Sequence, residues 1–240
     1  MAEATTIAAK PVTAVSRSAA LLALAGAATF VVLLAALHFI KPGLDPSWHF
    51  ISEYAIGRYG WMMVLAFLSL ALSYISLFVA IRSQLQTIVG RIGLALLLVS
   101  ALGLTIAAVF TTDPITVRED AVTTEGTLHN LGGALGIAMP FAAALVGWKL
   151  AHNPAWSSAK RALLWATGLA LVAFVVSFVS LGVMVSQSGG EFGPEVLVGW
   201  SNRFEVLAYS VWLMVVARHA LRLSRRNPET TGRAGAGRGA

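Results

Sequence analysis

Six long apolar stretches alternate with short polar ones along this chain, at about 19–40, 61–81, 88–110, 127–148, 162–185 and 198–217. Each is close to the ~20 residues that a helix needs to cross the hydrocarbon core of a bilayer. Helix is required there, because lipid offers no partner to an unpaired backbone N–H or C=O. The pattern predicts an all-α fold, a six-transmembrane-helix bundle. The first stretch is too long for the apolar core of a signal peptide and lacks a convincing cleavage site. Further spans follow it at once, so it is expected to be retained as a helix.

The polar residues between the spans orient the bundle. Of the 17 basic residues only Lys41, Arg58, Arg118 and Arg203 fall on one side, which leaves 13 on the other. Positive residues stay in the cytoplasm, so both the N and C termini are expected to be cytoplasmic. The acids show the reverse: only Glu3 and Glu229 fall on the basic side. The expected organisation is a cytoplasmic tail at 1–18, a membrane domain at 19–223 with an outer-face loop at 41–60, and a disordered basic tail at 224–240.

Composition agrees with a bilayer as solvent. The chain is 57% hydrophobic and 12% charged, about half the charge fraction of soluble domains. It has no cysteine, which excludes disulfides, thiolate metal sites and thiol catalysis. Its net charge of +6 follows membrane topology, so nucleic acid is not an expected partner. The expected partners are the lipid bilayer itself and anionic headgroups at Arg218, Arg222, Arg225 and Arg226. The expected location is the cell membrane, and oligomeric state is not readable.

Chemistry-bearing residues gather toward the outer side. In the loop after the first span, Asp45 can N-cap a short helix with Pro46 at its first position. Trp48, Ile51, Ala55 and Tyr59 then share one side of a helix lying in the interface, which Gly57 and Gly60 would end. Ser52 and Glu53 sit within it. Asp113 follows the third span, where Asp113-Pro114 is also an ordinary stop signal. His129 opens the fourth span and, with Gly133, Gly136 and Pro140, lies on the face expected to turn into the bundle. Gly132 and Gly136 make a small-residue pair for close helix approach. Ser69, Ser73 and Ser76 read as packing residues that bond across helices.

The last span holds the strongest physical clue. Counting back about 20 residues from Arg218 reaches Val198, which places Arg203 about 7–8 Å below the outer edge. A charge at mid-helix costs about 2.5–3.5 kcal/mol on the insertion scale. Arg203 and Glu205 are therefore expected to face the bundle and find partners, unless the helix begins later and both are wet. Glu53, Asp113 and Glu205 are candidate partners for Arg203. Together these residues suggest one outer polar cavity containing Ser52, Glu53, Asp113, His129, Arg203 and Glu205. The binding candidates are Glu53, Arg58, Asn130, Arg203 and Glu205. Ser52, Asp113 and His129 are the residue types of a hydrolytic triad, but their spacing does not show that they meet, and Ser52 lacks a nucleophile elbow. No histidine pairing at ligand spacing supports a metal site, and no cofactor is implied.

The segment from His38 to Gly60, with Asp45-Pro46, Ile51-Ser52-Glu53-Tyr54 and Gly57-Arg58-Tyr59-Gly60, resembles the bacterial and archaeal family called domain of unknown function 998. Phe110 to Pro114 and Gly126 to Asn130 resemble its next two motifs, and Gly199 to Arg203 with Glu205 suit its last helix. The resemblance covers about residues 20–220 and implies a six-span membrane protein of uncharacterised activity. A more distant similarity links Ser52-Glu53 and His129 to eukaryotic six-span proteins of the autophagy-modulator and GPI-anchor-remodelling type. Membrane hydrolases built on three histidines, a serine and an aspartate are disfavoured, since their paired histidines are missing here.

Three function classes stay open. A lipid- or amphiphile-handling protein needs a polar outer cavity above an apolar body; if catalytic, it would be a membrane-embedded hydrolase or transferase acting on lipid. A scaffold or regulatory protein needs no site. A small-solute transporter needs charges near the midplane and often broken helices, and only Pro140 interrupts a span deeply.

Overall fold

The computed structural model of the chain describes residues 15–226. Seven α-helices run through them: α1 (Arg17–Ile40), α2 (Gly60–Ile81), α3 (Ile88–Val109), α4 (Thr124–Gly136), α5 (Ala138–Ala151), α6 (Lys160–Gln187) and α7 (Val198–Arg226), with no strand among the described residues. α4 and α5 are consecutive halves of one span, so 6 helical stretches are long and apolar enough to cross a membrane. The six-span expectation holds, with boundaries moved by a few residues. The tails expected before residue 15 and after residue 226 lie outside the described residues.

Side chains start several helices. Ser16 accepts from the Ala19 N–H at 3.4 Å, Thr87 from Gly90 at 3.2 Å and Thr123 from Gly126 at 2.9 Å. Each satisfies one of the backbone donors that a helix start leaves open. The fourth span breaks because Pro140 has no N–H to offer the Gly136 carbonyl, and its ring would press on that carbonyl. The Ile137 N–H bonds to Ala134 at 3.2 Å instead, tightening the turn where α4 gives way to α5.

Six crossings bring the two ends of the described chain to one face, here the terminal face, with the α2–α3 and α5–α6 connections. The opposite loop face carries residues 41–59, 110–123 and 188–197. The spans close a ring in chain order: α1 on α2, α2 on α3, α3 on both α4 and α5, α5 on α6, α6 on α7, and α7 back on α1. Phe30, Met63, Leu97, Met139 and Trp212 fill its centre. α6 is the most lipid-facing span, with 11% of its apolar window buried against 56% for α7.

Small residues set the closest approaches. A Cβ on Gly132 would stand 2.6 Å from the Gly103 carbonyl oxygen and 2.8 Å from the Ala107 nitrogen. This is the close packing expected of Gly132, and its partner is α3. The three serines of α2 divide. Ser73 bonds across to the Ala23 carbonyl of α1 at 2.7 Å, Ser69 turns back to Leu65 in its own helix, and Ser76 is buried.

The helix expected around residues 45–59 is shorter than its sequence pattern. The Asp45 carboxylate accepts from the Ser47 N–H at 2.8 Å, which closes a turn rather than capping a helix. The backbone is extended at Phe50, makes a single 3-10 stretch over Ile51–Ala55, and is extended again at Ile56. Gly57 and Tyr59 then take left-handed conformations, with φ of 69° and 68°. Trp48, Ile51, Ala55 and Tyr59 therefore do not share one helical face.

Replacing Gly132 with leucine should force α3 and α4 apart at an expected penalty of about 1–3 kcal/mol. Thermal unfolding of the purified protein should show a clear drop in midpoint for Gly132→Leu and almost none for Gly133→Ala, where the space for a Cβ is empty.

Candidate functional site

Arg203 is buried, with 3% of its surface exposed, so the expectation of a protein-facing arginine is met. No carboxylate holds it. Its Nε donates to His38 Nε2 at 2.8 Å, its Nη1 to the carbonyls of His49 at 2.7 Å and Gly199 at 3.0 Å, and its Nη2 to the Tyr54 hydroxyl at 3.3 Å. An arginine can only donate, so His38 Nε2 must be a bare acceptor. His38 Nδ1 then carries the proton and gives it to the Leu34 carbonyl at 2.7 Å. Glu205 is two residues from Arg203 on the same helix, and side chains at that spacing do not face each other.

Glu53 is equally buried and serves a different contact. Its Oε2 accepts from His49 Nδ1 at 2.9 Å and from the Phe50 N–H at 3.0 Å, while Oε1 accepts from the Ile115 N–H at 3.0 Å. It ties the first loop to the α3–α4 loop. Lys41 donates to the carbonyls of Tyr54 at 3.0 Å and Ile56 at 2.6 Å, and burial lowers its pKa from the ordinary lysine range. Further bonds run from the Gly199 N–H to the Ser47 carbonyl at 2.8 Å and from the Ile51 N–H to Asn202 Oδ1 at 3.1 Å. The loop is thus fastened over the ring as a roof.

Asp113 braces the start of α4. Its Oδ2 accepts from the Thr123 N–H at 2.8 Å and its Oδ1 from the Thr123 hydroxyl at 3.0 Å. Any Cβ at Gly126 would strike that carboxylate, so glycine is needed there. Arg58 is exposed and lies over the Tyr59 ring, 4.8 Å from its centre.

Beneath the roof is a cavity of about 440 Å³. Its polar residues are Ser52, Tyr74, Ser100, His129, Asn130, Ser177, Asn202, Glu205 and Tyr209. The rest of the wall is apolar, with Phe67 and Leu70 from α2, Leu104 from α3, and Phe174, Phe178 and Leu181 from α6. Gly133 and Gly136 line it with empty space where a side chain would stand. Asn202 is about 6 Å and Tyr209 about 16 Å along α7 from its start. The second distance is about half the thickness of a hydrocarbon core. α5 packs on α6, but α4 makes scarcely any contact with it. The ring is therefore closed on its terminal half and parted between α4 and α6 on its loop half.

Of the expected polar group, Ser52, His129 and Glu205 share this cavity, and Asn130 lines it with them. Glu53, Asp113 and Arg203 do not line it; their bonds hold the surrounding loops. His129 Nδ1 lies 2.9 Å from the Phe110 carbonyl, so it is the protonated nitrogen, and Nε2 has no bond to protein. Asp113 binds Thr123 and not His129, so the three triad residue types do not form a relay. Among the described residues no three His, Asp or Glu side chains gather to hold a metal ion. His38, His49, Tyr54 and Asn202 are site-building residues that sequence reasoning did not select. The one available signal was the placement of His38 at the end of α1 and His49 within the first loop, both toward the outer side that holds Arg203.

A ring of six apolar helices with a roofed, side-opening cavity defines a multi-pass membrane protein. The chain belongs to the family described as protein of unknown function (DUF998), whose model matches residues 24–219. No curated protein and no solved structure matches it significantly.

Removing the guanidinium would leave His38, Tyr54 and two carbonyls without their buried partner, at an expected cost of about 2–5 kcal/mol. Thermal unfolding of purified Arg203→Ala should show a large loss, while exposed Arg225→Ala stays near wild type. Equal behaviour of the two variants would refute the anchoring role.

Proposed function

We propose that this protein binds a lipid or other single-chain amphiphile in the roofed cavity, on the extracytoplasmic side of a cell membrane. The observation that carries the reading is the cavity's asymmetry. Ser52, His129, Asn130 and Asn202 stand at its roofed end, a predominantly apolar body lies beneath, and the wall parts between α4 and α6. An amphiphile could enter sideways from the bilayer, keep its chain in apolar surroundings and bring its head to Ser52, Asn130 and His129. A volume of about 440 Å³ lies within the ~300–1,000 Å³ range of small-ligand sites.

The free polar atoms support binding. Neither the Ser52 hydroxyl nor the Asn130 side-chain amide has a hydrogen bond to protein, and both residues border the cavity with His129 and its open Nε2. Serine hydrolysis is less well supported, because a backbone carbonyl occupies the place of the orienting acid behind His129. Orientation follows from charge: Arg82, Arg91, Lys149, Lys160 and Arg161 all lie at the terminal face, which the positive-inside rule assigns to the cytoplasm. Arg218, Arg222 and Arg225 are exposed along one face of α7, as a contact with anionic headgroups requires.

Native mass spectrometry of protein released gently from membranes tests this reading. Wild type should retain an amphiphile, and Gly133→Phe or Gly136→Phe, at cavity-lining positions where a Cβ meets nothing within 4 Å, should lower the bound fraction about tenfold. Unchanged retention in both filled variants, with midpoints kept, would remove the cavity from the argument.

A further inference from the structure

The charge inside the cavity points to the chemistry of the head it receives. Among the described residues Glu205 is the one formally charged side chain lining it, and no lysine or arginine does so. Arg203 does not line it and is engaged by His38, Tyr54 and backbone carbonyls. Glu205 Oε1 accepts from the Tyr209 hydroxyl at 2.7 Å, and no basic side chain pairs with it. The other cavity groups near the roof add acceptors: the Ser52 hydroxyl, the Asn130 amide oxygen and His129 Nε2. Aromatic residues Phe67, Tyr74, Phe174, Phe178 and Tyr209 line the same cavity.

A carboxylate at this depth is costly unless a cation or several donors compensate it. The Tyr209 and Ser177 hydroxyls both bond to it, but two neutral donors bring no counter-charge. A phosphate or carboxylate head would add a like charge where no cation waits. An ammonium head would supply the missing counter-charge, donate to the open acceptors and meet ring faces that favour cations.

We infer that the cavity selects a single-chain amphiphile with a cationic ammonium head, with Glu205 as its counter-ion. This rests on the amphiphile-binding reading and adds the charge of the head to it. Three probes of equal chain length separate the two statements: dodecylamine, dodecanol and dodecanoate. Their binding to wild-type protein in phosphatidylcholine nanodiscs is measured by calorimetry, against empty nanodiscs to subtract partition into lipid.

Dodecylamine is expected to bind wild type at least about tenfold more tightly than dodecanol, with dodecanoate weakest. Glu205→Gln should erase the amine's advantage over dodecanol. Tyr209→Phe, which keeps the carboxylate, should preserve most of the advantage. Equal binding of amine and alcohol by wild type overturns the counter-ion role while leaving the amphiphile reading standing. Failure of all three probes to bind overturns both. The wild-type comparison decides the matter even if Glu205→Gln does not fold.

Discussion

A guanidinium keeps its proton in any protein environment, so a chain that buries one must surround it with acceptors. Arg203 meets that demand without a carboxylate. Its acceptors are an imidazole, a phenol and two backbone carbonyls, drawn from α1, the first loop and α7 itself. The four bonds reach three segments, so the single charge joins the end of α1, the roof and the start of α7. Glu53 repeats the device with the opposite sign, accepting from His49, Phe50 and Ile115. His49 connects the two, with its ring on Glu53 and its carbonyl on Arg203. The roof is held by two buried charges that never touch.

The membrane fold was legible because hydrocarbon imposes strict conditions. It demands apolar runs of fixed length and sorts arginine and lysine to one face, and both leave marks on a single sequence. The burial of Arg203, the inward turn of His129 and the close packing of Gly132 were legible for the same reason. Partnership was not. A buried arginine suggests a carboxylate, yet its side-chain partners lie 165 and 149 residues away and are neutral. Asp113 has the right depth for a shared polar site, but it is used ten residues on, at Thr123. Depth can be counted along a helix, whereas direction depends on how the helices turn in the finished ring.

The cavity follows from two such directional facts. Arg203 and Glu205 are separated by two residues, so α7 sends one toward α1 and the other toward the ring interior. Had a carboxylate satisfied Arg203, Glu205 would have been the nearest in sequence, and the interior would hold no charge. Pro140 adds the second fact by ending α4 at Gly136. The lower half of that span packs on α6 and the upper half does not, so the ring is open only where the polar groups lie.

Roof and cavity also share a residue. Asn202 borders the cavity while its Oδ1 holds the Ile51 N–H of the roof. Ser52, the next residue of that roof, faces the same space. A head placed against Ser52 would thus rest on the segment that Arg203 and Glu53 hold still, and would meet a surface set before it arrives. That prior ordering matters in a membrane, where a loosely held polar loop would find competing partners in water and headgroups. The buried charges need do no chemistry of their own: by fixing the roof, they leave the groups beneath it open to a ligand.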